Sequence, residues 1–383
     1  MYSLADHGSM LNDKGRMDAY IKALKRTVNS NSVVLDIGTG TGIFSILACH
    51  FGARKVYAVE PDDIIGLARE MAVASGVADR TTFIQDLSTR IDLPEKATIL
   101  VTDIRGSLPI YTHALESIID ARNRHLVPGG HIIPAQDIIW VALAAAPELY
   151  KKYTCPWSKN FDNAINMNIA LHKIKNNIWV TRKSEIQLVT NPEQWALLDY
   201  YTIEQPDISC SLTWKIEQPD TVHGIKAWFS TILVDDIGYA DTPGESEHVY
   251  GGQFFPFYEP LNLNPGEIIN VNLNADLVGD DYLCRWETSI FADENMTSPR
   301  VNFTQSTFEG TTLSLTALQK RTSDYTPQLN QEGLITNDTL KMMAESYSLN
   351  EIADYIFKKY PWRFDNVEKA LAYIGDISVK YSK

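Results

Sequence analysis

Residues 33 to 60, VVLDIGTGTGIFSILACHFGARKVYAVE, place an apolar run, a glycine cluster, a second apolar stretch and a further run closed by an acid in strict order. A buried strand that turns tightly into a helix and returns as a parallel strand accommodates this order. The same alternation extends from about residue 14 to 145. Apolar spacing predicts helices over 13–28, 43–50, 64–75 and 113–125, and buried strands over 32–37, 56–60, 81–85, 98–102 and 131–133. Near-continuous apolar strands alternating with helices imply a parallel sheet covered on both faces.

The pattern changes after Pro134. Runs such as IIWVAL, SCSLTWKI, HGIKAWFSTILV and EIINVNLNADLV, punctuated by Pro, Gly, Asn and Asp, predict an antiparallel β-domain, barrel or sandwich, over about 138–318. A helical, aromatic-containing insert interrupts it at 147–170. Residues 319–333 read as a polar linker, and the last fifty residues as three amphipathic helices. Ser348 with Glu351 and Asp365 with Glu368 have the spacing of capping boxes. The expected organisation is 1–135 α/β, 136–318 β and 319–383 linker with helical tail.

At 383 residues the chain exceeds one typical domain. Its net charge of −14 argues against a nonspecific nucleic-acid binder, which needs a basic face. The start, MYSLADHGSM, has no apolar core of signal-peptide length, and no apolar run has the length of a membrane span. Cys49, Cys155, Cys210 and Cys284 are far apart and form no metal-spaced pair, so they read as reduced residues of a cytoplasmic protein without a metal site.

Glycines between a strand and a helix let backbone N–H groups approach a ligand. Here Asp36 precedes Gly38, Gly40 and Gly42, Glu60 closes the second strand where two ribose hydroxyls would lie, and Asp86 with Leu87 follows the third strand, beside an adenine edge. This constellation resembles class I S-adenosylmethionine (SAM) methyltransferases more than dehydrogenases. LADHGSMLNDKGRMDAY (4–20) followed by VVLDIGTGTG resembles, more narrowly, the start of a protein arginine methyltransferase. The resemblance implies that Arg16 holds the SAM carboxylate, Met10 lines the sulfonium and His7 belongs to an amino-terminal lid. RNRHLVPGGHIIP (122–134), VHGIKAWFSTIL (222–233) and LNPGEIINVNL (263–273) continue it, so it covers residues 2 to 318. It implies a Rossmann-like SAM domain, then a β-barrel, and a homodimer formed through the 147–170 insert.

The acceptor loop departs from that family. Two glutamates there clamp a guanidinium; in VTDIRGSLPIYT, Asp103 falls on the first and Thr112 on the second, while Arg105 adds a positive charge. Losing one carboxylate of a buried pair costs about 2–5 kcal/mol, which argues against arginine as acceptor. The family's Thr-His-Trp triplet, expected near 248–253, is absent, leaving His248. Asp103, Tyr111 and His113 are the candidate catalytic residues, Asp103 foremost and Tyr111 more in keeping with packing. Residues 337–374 resemble the helical half of PqqD-like domains, which bind peptide leaders. The expected function is SAM-dependent methylation of a non-guanidinium nitrogen on a peptide or peptide-derived natural-product precursor. The alternatives are a small-molecule N- or O-methyltransferase and a SAM-binding scaffold subunit.

Overall fold

The computed structural model describes residues 2–159, 164–181, 186–242 and 248–382. The chain divides into two compact units, Met1–Thr311 and Thr312–Lys383.

The first unit opens with α1 (Leu4–Asn12), α2 (Lys14–Thr27), β1 (Val33–Ile37), α3 (Ile43–His50), β2 (Lys55–Val59), α4 (Ile65–Ala74), β3 (Thr81–Ile84), β4 (Ala97–Thr102), α5 (Ala114–His125) and β5 (Leu126–Ile133). The five strands form one parallel sheet in the order β3-β2-β1-β4-β5. All five residues of the central β1 are buried, which is why its sequence runs apolar without alternation. Helix α2 buries Ala19, Tyr20, Ala23 and Leu24, a single face at helical spacing. Two differences from expectation have local causes. The helix expected from residue 13 is preceded by a second one, because Asp13 leaves the helical region (ψ 88°) and its side chain caps α2 at Arg16 N–H. Strand β5 begins five residues early, at Leu126 rather than 131, since Leu126 already pairs with Ala97; the ladder is then interrupted over Val127-Pro-Gly-Gly, where Gly129 has φ +75°, and resumes at His131.

The antiparallel part follows as β6 (Gln136–Ala145), α6 (Pro147–Thr154), α7 (Asn168–Lys175), β7 (Trp179–Val180), β8 (Gln187–Leu188), β9 (Glu193–Asp199), β10 (Ile208–Lys215), β11 (Asp220–Val234), β12 (Ile237–Ala240), β13 (Gln253–Leu263), β14 (Ile268–Val278), β15 (Asp281–Phe291), β16 (Pro299–Ser306) and α8 (Thr307–Gly310). One sheet runs β10-β14-β15-β16; the other runs β7-β13-β11-β6-β8, with β12 joined to β11 and β9 to β6. Their inward residues, among them Trp214, Phe229, Phe255, Leu273 and Trp286, share one apolar cluster that continues into the parallel-sheet half through Leu35 and Leu100. Burying each such side chain contributes roughly 1.5–3 kcal/mol. The insert supplies α6 and α7; its residues 160–163 lie outside the described residues.

The second unit holds α9 (Leu315–Gln319), α10 (Gln331–Ala344), α11 (Leu349–Lys359) and α12 (Val367–Tyr381), and no strand among its described residues. Ile335, Ile352, Ile356, Phe364 and Ile374 form its own core. The Ser348–Glu351 capping box is present. At α12 the cap is Asn366, whose side chain accepts from Lys369 N–H at 2.9 Å, while the expected Asp365 forms an ion pair with the Lys369 ammonium instead. The helix starts one residue later than the Asp-x-x-Glu spacing suggests. No helix among the described residues is long and apolar enough to cross a membrane.

Candidate active site

A cavity of about 1120 Å³ opens where β1, β2 and β4 end, the place where open α/β sheets bind ligands. Its wall includes Met10 and His7 from α1, Arg16 from α2, Gly38 and Gly40, Glu60, Asp103, Arg105 and Tyr111, with Tyr250, Gln253 and Tyr282 from the β half.

The β1–α3 turn is held by side chains on both sides. Asp36 is 1% exposed and accepts from Thr39 Oγ at 2.6 Å and Ser45 Oγ at 2.7 Å. Burial pushes its carboxyl up to about 6. It shapes the turn from behind and does not line the cavity. Glu60 lines the cavity and accepts from Gly40 N–H at 3.0 Å and Asp62 N–H at 3.1 Å, one bond to each oxygen, which leaves each with further accepting capacity. Gly38 has φ +69°, and a Cβ there would stand 2.3 Å from Ile104 Cγ2. Gly42 lies against Ala68, away from the wall. Asp86 turns back to accept from Leu87 N–H at 2.7 Å; neither residue lines the cavity.

The acceptor loop is the centre of a charge network. Asp103 Oδ2 accepts from Arg16 Nε at 2.6 Å and is ion-paired with Arg16 Nη2. Asp103 Oδ1 accepts from Tyr250 Oη at 2.7 Å, Arg105 Nη2 at 2.8 Å and Arg105 Nε at 3.0 Å. Burial works against this carboxylate, but the Arg16 and Arg105 guanidiniums and the Tyr250 hydroxyl hold its pKa below the usual range. It is therefore a poor proton acceptor, with no idle lone pair. Arg16 also donates to Met10 O at 2.9 Å and Tyr250 Oη at 3.1 Å, so most of its fork is engaged within the chain.

Arg105, expected to repel a cation, is neutralised on both sides. Its Nη1 donates to Asp137 at 2.8 and 3.1 Å and to Thr231 Oγ at 3.1 Å; its Nη2 donates to Tyr20 Oη at 2.6 Å and Tyr239 Oη at 2.8 Å. The Asp137 carboxylate is in turn held by Tyr200 Oη at 2.6 Å.

Tyr111 lines the cavity, its ring over Gly106, where a Cβ would come within 2.8 Å. His113 sits outside it, between Glu116 at 2.6 Å and Asp280 at 3.1 Å. Those carboxylates raise its pKa. His248 Nδ1 meets Asp13 Oδ1 at 2.9 Å, tying the start of α2 to the loop before β13. Sequence reasoning missed Tyr20, Asp137, Tyr239, Tyr250 and Gln253; the one available signal was that a buried Arg105 requires distant anions and hydroxyls. Gln253 donates to Ser107 Oγ at 3.0 Å, and its buried Oε1 has no hydrogen-bond partner.

The parallel sheet of order 3-2-1-4-5, the glycine turn and the acid after β2 define a class I methyltransferase fold. A family model described as ribosomal protein L11 methyltransferase (PrmA) matches residues 18–136. Among curated proteins, protein arginine N-methyltransferase 2 of Dictyostelium discoideum is 30% identical over 236 residues, 58% of this chain and 46% of that one. Probable protein arginine N-methyltransferase 6 of Arabidopsis thaliana is 28% identical over 63% of this chain and 56% of its own length. The chain spans about half the length of these relatives. Two solved structures share the fold at 22% identity. The Trypanosoma brucei PRMT1 enzyme-prozyme complex with AdoHcy covers 78% of this chain and 96% of its own at TM-score 0.69. Arabidopsis thaliana protein arginine methyltransferase 10 covers 79% and 97% at 0.68. The chain shares the fold of these arginine methyltransferases.

Proposed function

We propose that the chain binds SAM in the 1120 Å³ cavity and methylates a nitrogen other than a guanidinium, on a peptide or peptide-derived acceptor. The glycine turn fits the cofactor: a Cβ at Gly38 or Gly40 would fill the cradle, and Glu60 faces it with spare lone pairs, suited to a ribose diol. Met10 and Arg16 would border the methionine end. When bound, SAM supplies an electrophilic methyl on a sulfonium. The chain's part is then to position the nucleophile. AdoHcy in the related T. brucei structure supports this reading.

The observation that carries the acceptor class is the consumption of Asp103 by the chain's own Arg16 and Arg105. With Thr112 in place of a second acid, the loop has no carboxylate pair left for a guanidinium. A neutral amine needs no such pair. Of the expected catalytic residues, Asp103 then acts as the anion that positions Arg16 and Tyr250, and Tyr111 contributes the side chain beside the acceptor. The tail's PqqD-like pattern and the relatives' names support a peptide, and we assign dimerisation to the 147–170 insert.

The test is tandem mass spectrometry of candidate peptides and an arginine-rich control after incubation with methyl-labelled SAM. Label on an amine supports the proposal; label on arginine sinks it. The saturation of Asp103 also favours a second reading, a SAM-binding subunit that needs a partner for transfer, which any turnover by the pure chain would exclude.

A further inference from the structure

We infer that Arg105 is a specificity-determining residue: an internal guanidinium that fills a guanidinium-binding box opening onto the cavity, and so keeps arginine side chains out. The inference rests on the proposed reading of the reaction.

The box is complete. The five N–H donors of Arg105 meet Asp103, Asp137, Thr231, Tyr20 and Tyr239, at 2.6 to 3.1 Å. Three aromatic faces surround its Cζ, with ring centroids of Phe229, Tyr250 and Tyr239 at 5.3, 5.6 and 5.8 Å. A planar fork, two carboxylates and stacked rings are what a guanidinium demands and an ammonium does not. The members come from α2, the loop after β4, β6, β11, β12 and the loop before β13, so six segments of the first unit converge on one group.

Stability alone gives weak reason for such an arrangement, since well-packed apolar residues commonly replace buried ion pairs without loss. Its position gives a better one. Asp103, Tyr250 and Arg105 itself also line the cavity. With Arg105 in place, Arg16 and Arg105 balance Asp103 and Asp137, so this part of the wall carries no net charge. Without it, the vacated space would be bounded by Asp103 and Asp137, the Arg16 guanidinium and three ring faces: a net negative, planar-cation site opening onto the cavity.

The experiment is rescue of Arg105→Ala by methylguanidinium chloride, read as Tm, with methylammonium chloride at equal concentration as the control of equal charge and different shape. The expected result is a saturable rise of about 5 °C in the variant with methylguanidinium, no rise with methylammonium, and no rise for either in the wild type. Equal responses to the two cations, or none, would overturn the inference. If Arg105→Ala does not fold unaided, the readout becomes its refolding yield from urea with each cation, where equal yields would overturn it. These measurements involve no methyl transfer. A labelled arginine from the wild-type chain would instead defeat the exclusion of arginine, and with it the reaction proposed above, whatever the rescue shows.

Discussion

Arg16 Nε donates to Asp103 Oδ2 at 2.6 Å, so the residue expected to hold a ligand carboxylate is bound to the residue expected to take an acceptor's proton. Neither acts independently of the other. Asp103→Asn removes the anion shared by two buried guanidiniums, and breaking such an arrangement costs about 3–5 kcal/mol. The pH dependence has a defined sign. Because the folded carboxyl is held below its ordinary range, its contribution is complete above the unfolded pKa and is lost as pH falls through the folded one. Urea midpoints taken from neutral to acid pH should show the variant less stable near neutrality and converging with wild type in acid. Equal midpoints at neutrality would mean that the pair contributes nothing.

Asp36 carries the opposite sign. Its folded pKa of about 6 stands above the ordinary 3.8, so its contribution is complete below the lower value and is lost as pH rises through the upper one. Asp36→Asn keeps an oxygen for Thr39 and Ser45 without the buried charge. Relative to wild type it should gain about 2 kcal/mol on going from about pH 4 to about pH 7. A constant difference across that range would show that Asp36 does not titrate there.

Gly38 combines a left-handed φ of +69° with a Cβ position 2.3 Å from Ile104 Cγ2, and both residues line the cavity. Gly38→Ala should weaken binding of S-adenosylhomocysteine, read by calorimetry, by about tenfold or more, because overpacking against Ile104 at the cavity wall costs about 1–3 kcal/mol, whereas the left-handed strain falls on stability. Gly52→Ala is the control. It has φ +105° with nothing within 4 Å, so it should lower Tm and leave the affinity unchanged. Similar affinity losses in both would mean that the Gly38 effect is general instability.

These cases mark what the sequence could and could not disclose. The strand–glycine–helix order, the change of architecture after Pro134 and the three tail helices were legible because each is a local pattern: period, turn residue, cap. Gly38, Gly40 and Glu60 were legible for the same reason, lying within one βαβ unit. The Arg105 network was not, since Tyr20, Asp137, Thr231 and Tyr239 approach it from up to 134 positions away in the chain, and no spacing rule links them. His113 was misleading in a simpler way. It neighbours Tyr111 in sequence, but as the residue just before α5 it meets Glu116 one turn on and Asp280 from the β14–β15 turn.

The caps of the tail separate a pattern from its geometry. Both Asp365 and Asn366 precede α12, and the Asp-x-x-Glu spacing favours the first, yet the side chain that accepts the helix N–H is that of Asn366, at 2.9 Å from Lys369 N. Removing a cap costs about 1 kcal/mol, whereas an exposed ion pair is screened by water and contributes little. Asp365 is fully exposed and its ion pair with Lys369 is of the second kind. Asn366→Ala should therefore speed hydrogen exchange through the first turn of α12 by about fivefold, while Asp365→Ala should leave it close to wild type. Faster exchange in Asp365→Ala than in Asn366→Ala would return the cap to the position that the sequence pattern favours.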